Sequence, residues 1–248
     1  MTTATAPRFS MVIPAFNEAR WLPPLLDTVD RARAACSHGP DAVEVIVADN
    51  ASTDRTAEIA ASRGCRVARV ENRTIAAARN GGARLARGEI LLFVDADSRI
   101  HPGTFDTVDA ALATGKFVAG ASGVTSERWS LGIVATWAFM IPMVWLTGMD
   151  TGVVFCRRED YAAVGGYDET RRVAEDVKFL VALRRLGRGR GQRLVRLRGV
   201  KTVASTRKFD EHGDWHYFTS MLTLVLAYVV HPRSAARRIE RYWYEPDR

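Results

Sequence analysis

With 248 residues, 47% hydrophobic and 25% charged, the chain suits one large α/β domain with a full core and is too apolar for wholesale disorder. Three scattered cysteines, Cys36, Cys65 and Cys156, with no C-x-x-C pair, exclude a disulfide framework and a cysteine zinc site and fit a reducing cytosol. The net charge of +7 is uneven: eleven Lys and Arg and no acid fall between Asp176 and Asp210, which suits an anionic partner or, more simply, a solvated basic face.

Met1 to Ser10 lacks the apolar core of a signal peptide. Phe9 to Ala15 predicts a strand, followed by a helix from Glu18 to Ala35 with Pro23 and Pro24 near its start. Val43 to Ala48 predicts an apolar strand ending in the polar loop Asp49-Asn50-Ala51-Ser52-Thr53-Asp54, where Ser52 or Asp54 caps a helix to about Ser62. Arg66 to Val70 reads as a short strand, and Thr74 to Arg87 as an alanine-rich helix closed by Gly88. Ile90 to Val94 is a third apolar strand, with a helix at Gly103 to Thr114. This order implies an α/β fold with a mainly parallel central sheet and helices on both faces, whose ligands bind at the carboxyl ends of the strands.

Trp129 to Met149 carries no charge over twenty-one residues, enough to span a bilayer, but Pro142 lies within it. A single crossing would separate the two halves of the chain. A buried helix pair or an in-plane interfacial element, with Tyr217 to Val230 as a second apolar run, is the expected form. Beyond it, Gly152 to Arg157 predicts a strand and Arg158 to Val164 a short helix. Gly165-Gly166-Tyr167-Asp168 is a turn, and Ala174-Glu175-Asp176 opens a helix at Val177 to Leu186.

Polar residues arrive at three strand ends: Asn17 and Glu18, then Asp49 to Asp54, then Asp95 and Asp97. Asp95 and Asp97, at i and i+2, share a face of an extended segment and could reach one cation, with oxygens that suit Mg²⁺ or Mn²⁺. A solvated turn is the simpler reading of that pair alone. His212 and His216, four apart, could share a helix face and add a metal ligand, or simply pack.

The segments Val12-Ile13-Pro14-Ala15-Phe16-Asn17-Glu18, Val47-Ala48-Asp49-Asn50-Ala51-Ser52-Thr53-Asp54 and Ala78-Arg79-Asn80-Gly81-Gly82, with the Asp95-Ala96-Asp97 pair, resemble the signatures of glycosyltransferase family 2. The resemblance covers Phe9 to Asp97 and resumes at Thr151 to Leu186. It implies an inverting, nucleotide-sugar-dependent transferase of the GT-A fold: a catalytic domain at 8–210, with a donor half at 8–100 and an acceptor half at 101–210, and a C-terminal helical extension at 211–248.

By that resemblance, Pro14, Ala15, Phe16, Asn17 and Glu18 would line the nucleoside pocket, with Glu18 near the ribose. Asp49 would accept from the base, beside Asn50 and Ser52, and Arg79 would sit near the base or diphosphate. Asp95 and Ala96 would lie near the ribose. Asp97, with Asp95 as second candidate, would hold Mn²⁺ or Mg²⁺ on the diphosphate. Asp176 would be the general base, with Glu175 as fallback. Arg207 would close over the diphosphate. The family varies widely on the acceptor side, where Asp150, Thr151, Gly152 and Gly166 are candidates from their place around the strand at Gly152 to Arg157 and the turn before the acidic helix start.

The implied partners are a UDP-sugar or similar donor and a hydroxyl acceptor, at a cytoplasmic location. The alternative is a polyprenyl-phosphate acceptor with peripheral contact at the cytoplasmic face of the membrane. A nucleic-acid-binding module is the competing class, but no recognisable motif accompanies the basic block, so nucleic acid is not an expected partner.

Overall fold

The computed structural model describes residues 6–147, 150–170, 175–216, 218 and 219. Most of the second apolar run and of the expected C-terminal extension lies outside the described residues.

The chain builds one seven-stranded sheet with helices on both faces. Strands β1 (Phe9–Ala15), β2 (Val43–Asp49), β3 (Arg66–Arg69) and β4 (Ile90–Phe93) alternate with helices α1 (Leu22–Ala35), α2 (Thr56–Ser62) and α3 (Ile75–Leu85). Helix α4 (Thr104–Ala113), β5 (Phe117–Ser126), α5 (Leu131–Thr147), β6 (Val154–Arg157), α6 (Arg158–Ala163), α7 (Glu175–Arg188), β7 (Arg193–Ala204) and α8 (Arg207–His212) follow. The spatial order is β3-β2-β1-β4-β6-β5-β7; β6 runs antiparallel to both its neighbours, and the other pairings are parallel.

Side-chain alternation decides which layer each strand feeds. Phe9, Met11 and Ile13 of β1, with Ile90 and Leu92 of β4, pack under α1 and α4 against Leu22, Leu25, Phe105 and Val108. Val12, Leu91 and Phe93 point the other way, to Ala76 and Ala78 of α3 and to Phe179, Leu180 and Leu183 of α7. Helix α3 lies unusually close to the sheet because it carries Gly81 and Gly82: a Cβ at Gly82 would run into Val12 Cγ1. That closeness carries Arg79, on the same helix, into the space between the two halves of the chain.

Several expectations are corrected. The first helix starts at Leu22, not Glu18, because Pro23 and Pro24 suit a first turn and Asn17 turns the chain with φ of 55°. The third helix ends at Leu85 with Ala86 as its cap, and Gly88 instead packs against Ser10. Glu175 and Asp176 lie inside the first turn of α7. Strands β5 and β7 were not anticipated. The first is rich in small residues, and the second alternates Arg193, Arg196 and Arg198 with Leu194, Val195 and Leu197 inside the basic block. That block is also less free than its charge suggests. Lys178 pairs with Asp168, Arg190 with the fully buried Asp160, and Arg196 with Asp150.

Helix α5 matches the charge-free segment and contains Pro142. Among the described residues no helix is long and apolar enough to cross a membrane. Trp129, Leu131, Val134, Phe139 and Ile141 are exposed along it.

Candidate functional site

The carboxyl ends of β1, β2 and β4 lie side by side, so their loops must share space. The β1 and β2 loops are laced together. Asn17 N–H donates to Ser52 Oγ (3.0 Å), Thr53 N–H to Asn17 Oδ1 (2.8 Å), and Glu18 N–H to Thr56 Oγ1 (2.8 Å). Asp54 accepts from Ala19 N–H and Thr56 N–H, both at 3.0 Å, and so steadies the approach to α2, but the N-cap is Arg55 rather than the expected Ser52 or Asp54. Ser52 is therefore a loop staple.

Asp49 is 4% exposed and accepts from Ser52 N–H. Asn50 donates to Thr74 C=O (3.1 Å) while its buried Oδ1 has no partner. Pro14 stands beyond the β4 pairing, where its missing N–H costs nothing, and Ala15 C=O accepts from Asn50 N–H. Phe16 is exposed, with the Arg73 guanidinium 5.1 Å from its ring centre. These groups gather at the ends of β1 and β2, with the flat face of Phe16 and the unpartnered Asn50 Oδ1 among them.

The two acids of the pair meet different arginines, yet lie close enough for Asp95 to raise the pKa of Asp97. After Phe93 the chain leaves the sheet and turns, burying Ala96 and sending its neighbours to different arginines. Asp95 pairs with Arg79 (3.0 Å), and Asp97 with Arg207 Nε (3.3 Å). Arg207 also donates to Glu18 (2.9 Å), so three segments distant in sequence meet on one guanidinium.

Arg79 is 4% exposed and joins the two halves of the chain. It reaches Asp95 in the loop after β4, and Glu175 (3.2 Å) and Asp176 (2.8 Å) of α7. Its guanidinium lies 5.1 Å over the Tyr167 ring, and Tyr167 OH donates to Asp176 (3.1 Å). Arg79 Nε is buried with no partner. Arg79 thus stands between Asp95 of the acid pair and Asp176, the expected base.

The turn carrying Tyr167 is held by Asn80. Its Oδ1 accepts from Tyr161 OH and Tyr167 N–H, and its Nδ2 donates to Tyr167 C=O and Glu169. Gly166 takes φ of 72° there, and its Cα faces Asn80 and Tyr161. Sequence reasoning missed both Tyr167 and Asn80 as site builders, although each stands inside a motif it had singled out.

Burial and like charge shape the acidities. Burial raises Asp176 to about 6, with Asp95 and Glu175 adding and Arg79 and the Tyr167 bond opposing. Burial raises Glu18 to about 7 against the pull of Arg207, and burial with Asp95 raises Asp97. Lys208 falls to about 8, through burial and the neighbouring Arg207. For Arg79, burial is outweighed by its carboxylates, so it stays charged.

Five carboxylates (Glu18, Asp95, Asp97, Glu175 and Asp176) thus face three cations. A divalent cation fits that excess of charge, and the Arg207 guanidinium already stands on Asp97 as a cation does. Among the described residues no three His, Cys, Asp or Glu side chains form a ready cage. Mg²⁺ and Mn²⁺ commonly complete their shells with water and substrate phosphate, so two acids suffice. His212 and His216 lie ring to ring at 4.7 Å and join no such group.

Of the residues expected to face an acceptor, Asp150 is buried against Arg196, and Thr151 is exposed. Gly152 packs so tightly on Ser122 and Thr202 that a Cβ would clash.

Residues 10–138, just over half of the chain, match the Glycosyl transferase family 2 model. The chain belongs to that family. Over 118 residues, 45% of its length, it is 36% identical to the validoxylamine A glucosyltransferase of Streptomyces hygroscopicus subsp. limoneus, of which this segment is 25%. It is 37% identical over 118 residues (45% of the chain, 34% of the relative) to the undecaprenyl-phosphate 4-deoxy-4-formamido-L-arabinose transferase of Pseudomonas paraeruginosa. The matches therefore span only about a quarter to a third of those proteins.

In structure, this family 2 chain resembles the glucosyl-3-phosphoglycerate synthase of Mycobacterium tuberculosis, solved with Mn²⁺, UDP and glucosyl-3-phosphoglycerate. The TM-score is 0.60 at 21% identity, covering 94% of this chain and 81% of that one. The fold is that of the nucleotide-sugar transferases, as the family 2 signatures implied.

Proposed function

We propose that this protein moves a sugar from a nucleotide diphosphate sugar, a UDP-sugar first among them, to an acceptor hydroxyl with inversion. The observation that carries this reading is Arg79, which ties Asp95 of the donor-side loops to Asp176 at the start of α7 within 3.0 and 2.8 Å. Donor-holding and proton-accepting groups thereby share one constellation. The relatives named for glucosyl and arabinose transfer, and the neighbour holding UDP with Mn²⁺, support the same chemistry.

In this reading Asp49 accepts an N–H from the base, Phe16 offers it a flat face, and Glu18 binds ribose hydroxyls. The acceptor oxygen attacks the anomeric carbon as the bond to the diphosphate oxygen breaks, and the acceptor proton passes to Asp176. With its acidity near 6, Asp176 is ionised at neutral pH yet more basic than an ordinary carboxylate. Arg79 holds that carboxylate in place, and Tyr167 fixes which oxygen points away. Mn²⁺ or Mg²⁺ on Asp97, with Asp95 as second candidate, would neutralise charge developing on the leaving diphosphate. Asp150, Thr151, Gly152 and Gly166 remain the proposed acceptor side. Of these, the exposed Thr151 is best placed to touch an acceptor directly, and the others shape the walls.

A second reading, transfer to a polyprenyl phosphate at the cytoplasmic face of a membrane, is favoured by the exposed apolar side chains of α5 and by the undecaprenyl-phosphate relative. A phosphate acceptor needs no general base, so Asp176→Asn separates the two: it should cripple transfer to an alcohol and spare transfer to a phosphate. The primary test is a donor screen with Mn²⁺ or Mg²⁺, reading thermal shift and nucleotide diphosphate release. If no nucleotide sugar or nucleotide diphosphate stabilises the protein with metal present, the reading fails.

A further inference from the structure

Arg207 opens α8, and its side chain crosses to the far side of the donor site. Nη1 donates to Glu18 at 2.9 Å and Nε approaches Asp97 at 3.3 Å, with the Trp21 ring 6.0 Å from the guanidinium. The backbone behind it is tied down. Arg99 and Val203 exchange hydrogen bonds of 2.9 and 2.8 Å, Glu127 N–H donates to Ala204 C=O, and Thr206 is 3% exposed. What is left to move is the side chain, which is only half-buried.

We propose that Arg207 couples cation to nucleotide: in the free protein it takes the place of a divalent cation on Asp97, and a nucleotide diphosphate draws it away. The proposal rests on the donor reading above and adds an order of events to it. A dication on Asp97 would stand beside this guanidinium in a half-buried site, where like charges repel strongly. A diphosphate offers the guanidinium a planar, charge-assisted pair at least as good as the two carboxylates it leaves. Its departure frees Asp97 for the cation and Glu18 for ribose hydroxyls in one movement. Coupling of this kind is reciprocal, so the cation must raise nucleotide affinity by the factor by which nucleotide raises cation affinity.

The test is Mn²⁺ binding, by calorimetry or by the electron paramagnetic resonance of free Mn²⁺, with and without UDP, in wild type and Arg207→Gln. Without UDP the variant should bind Mn²⁺ tighter, by roughly fivefold or more, which is the lower end of usual coupling factors. With saturating Mn²⁺ it should bind UDP more weakly, and the gain in Mn²⁺ affinity that UDP gives wild type should shrink. Asp97→Asn should lose Mn²⁺ binding in both conditions, and Arg207→Met replaces the glutamine variant if that protein does not fold. Equal or weaker nucleotide-free Mn²⁺ binding by the variant overturns the competition, whatever UDP does. If UDP does not bind wild type at any Mn²⁺ concentration, the nucleotide arm is run with GDP, ADP, CDP and dTDP; failure of all of them overturns the donor reading and the coupling with it, while the nucleotide-free arm still decides who occupies Asp97.

Discussion

Asp176 sits where burial and charge oppose each other. Removal from water and the nearby Asp95 and Glu175 favour its protonated form, while Arg79 and Tyr167 favour the carboxylate; the balance lies near 6. A base must be ionised to act, so activity toward a hydroxyl acceptor should rise with pH through about 6 and level off above it. A pH profile of kcat/KM checks this. Asp176→Asn should lower kcat by about 10²–10⁴ with little change in donor KM. Arg79→Ala should cost more, because it leaves Asp95, Glu175 and Asp176 facing one another without their shared cation. Its loss should appear in the melting temperature as well as in rate, by several kcal/mol as for a broken buried ion pair. The residue types at this centre were legible in sequence, since each stands in a motif. Their partners were not: nothing in Ala78-Arg79-Asn80 says that Arg79 faces α7, or that Asn80 clasps the turn at Tyr167.

At the level of elements, α8 depends on a contact far from the chemistry. Arg128, just after β5, forks onto Asp210 (2.5 Å) of α8 and Asp214 (2.6 Å) beyond it, and Gly132 lets the start of α5 touch the Asp214 backbone. These are surface ion pairs, worth about 1 kcal/mol or less to stability. They nonetheless set where α8 presents Arg207. Arg128→Ala should therefore leave the melting temperature nearly unchanged while raising donor KM several-fold, and Arg128→Lys should recover part of the loss. Steady-state kinetics beside a thermal melt would separate these effects; a fall in stability without a KM change would refute the positioning role. Sequence patterns predicted the first four strands because each has a short, mostly apolar centre bounded by polar or turn-forming residues. They missed β7 because its Arg–Leu–Val–Arg–Leu–Arg order reads as a charged block until a sheet edge supplies a wet face and a dry one.

Across the whole molecule, stability and function pull in opposite directions at the site. Glu18 and Asp176 are both raised above the ordinary carboxylate range, to about 7 and about 6. The folded protein thus holds protons that the unfolded chain releases near pH 4. Stability from these groups is fully present below that pH and is lost as pH rises through about 6 to 7. The metal-free protein should accordingly show its site-linked loss of stability between pH 4 and 7. Mn²⁺ with UDP should restore it at neutral pH, because ligands that bind only the folded state stabilise it by mass action. Thermal melts across pH, with and without both ligands, test this, and a melt that is insensitive to the ligands at pH 7.5 would contradict it. The sequence alone determined the alternating architecture, the family and the identities of the acids at three strand ends, since apolar periodicity and motif chemistry are local properties of the chain. Only the tertiary structure decided that Asp95 and Asp97 pair with different arginines, that Lys178, Arg190, Arg196 and Arg207 of the basic block meet acids outside it, and that Arg79 joins Asp95 to Asp176 while Arg207 joins Glu18 to Asp97. Those are facts about which charges meet when segments up to 189 residues apart are folded together, and no local pattern encodes them.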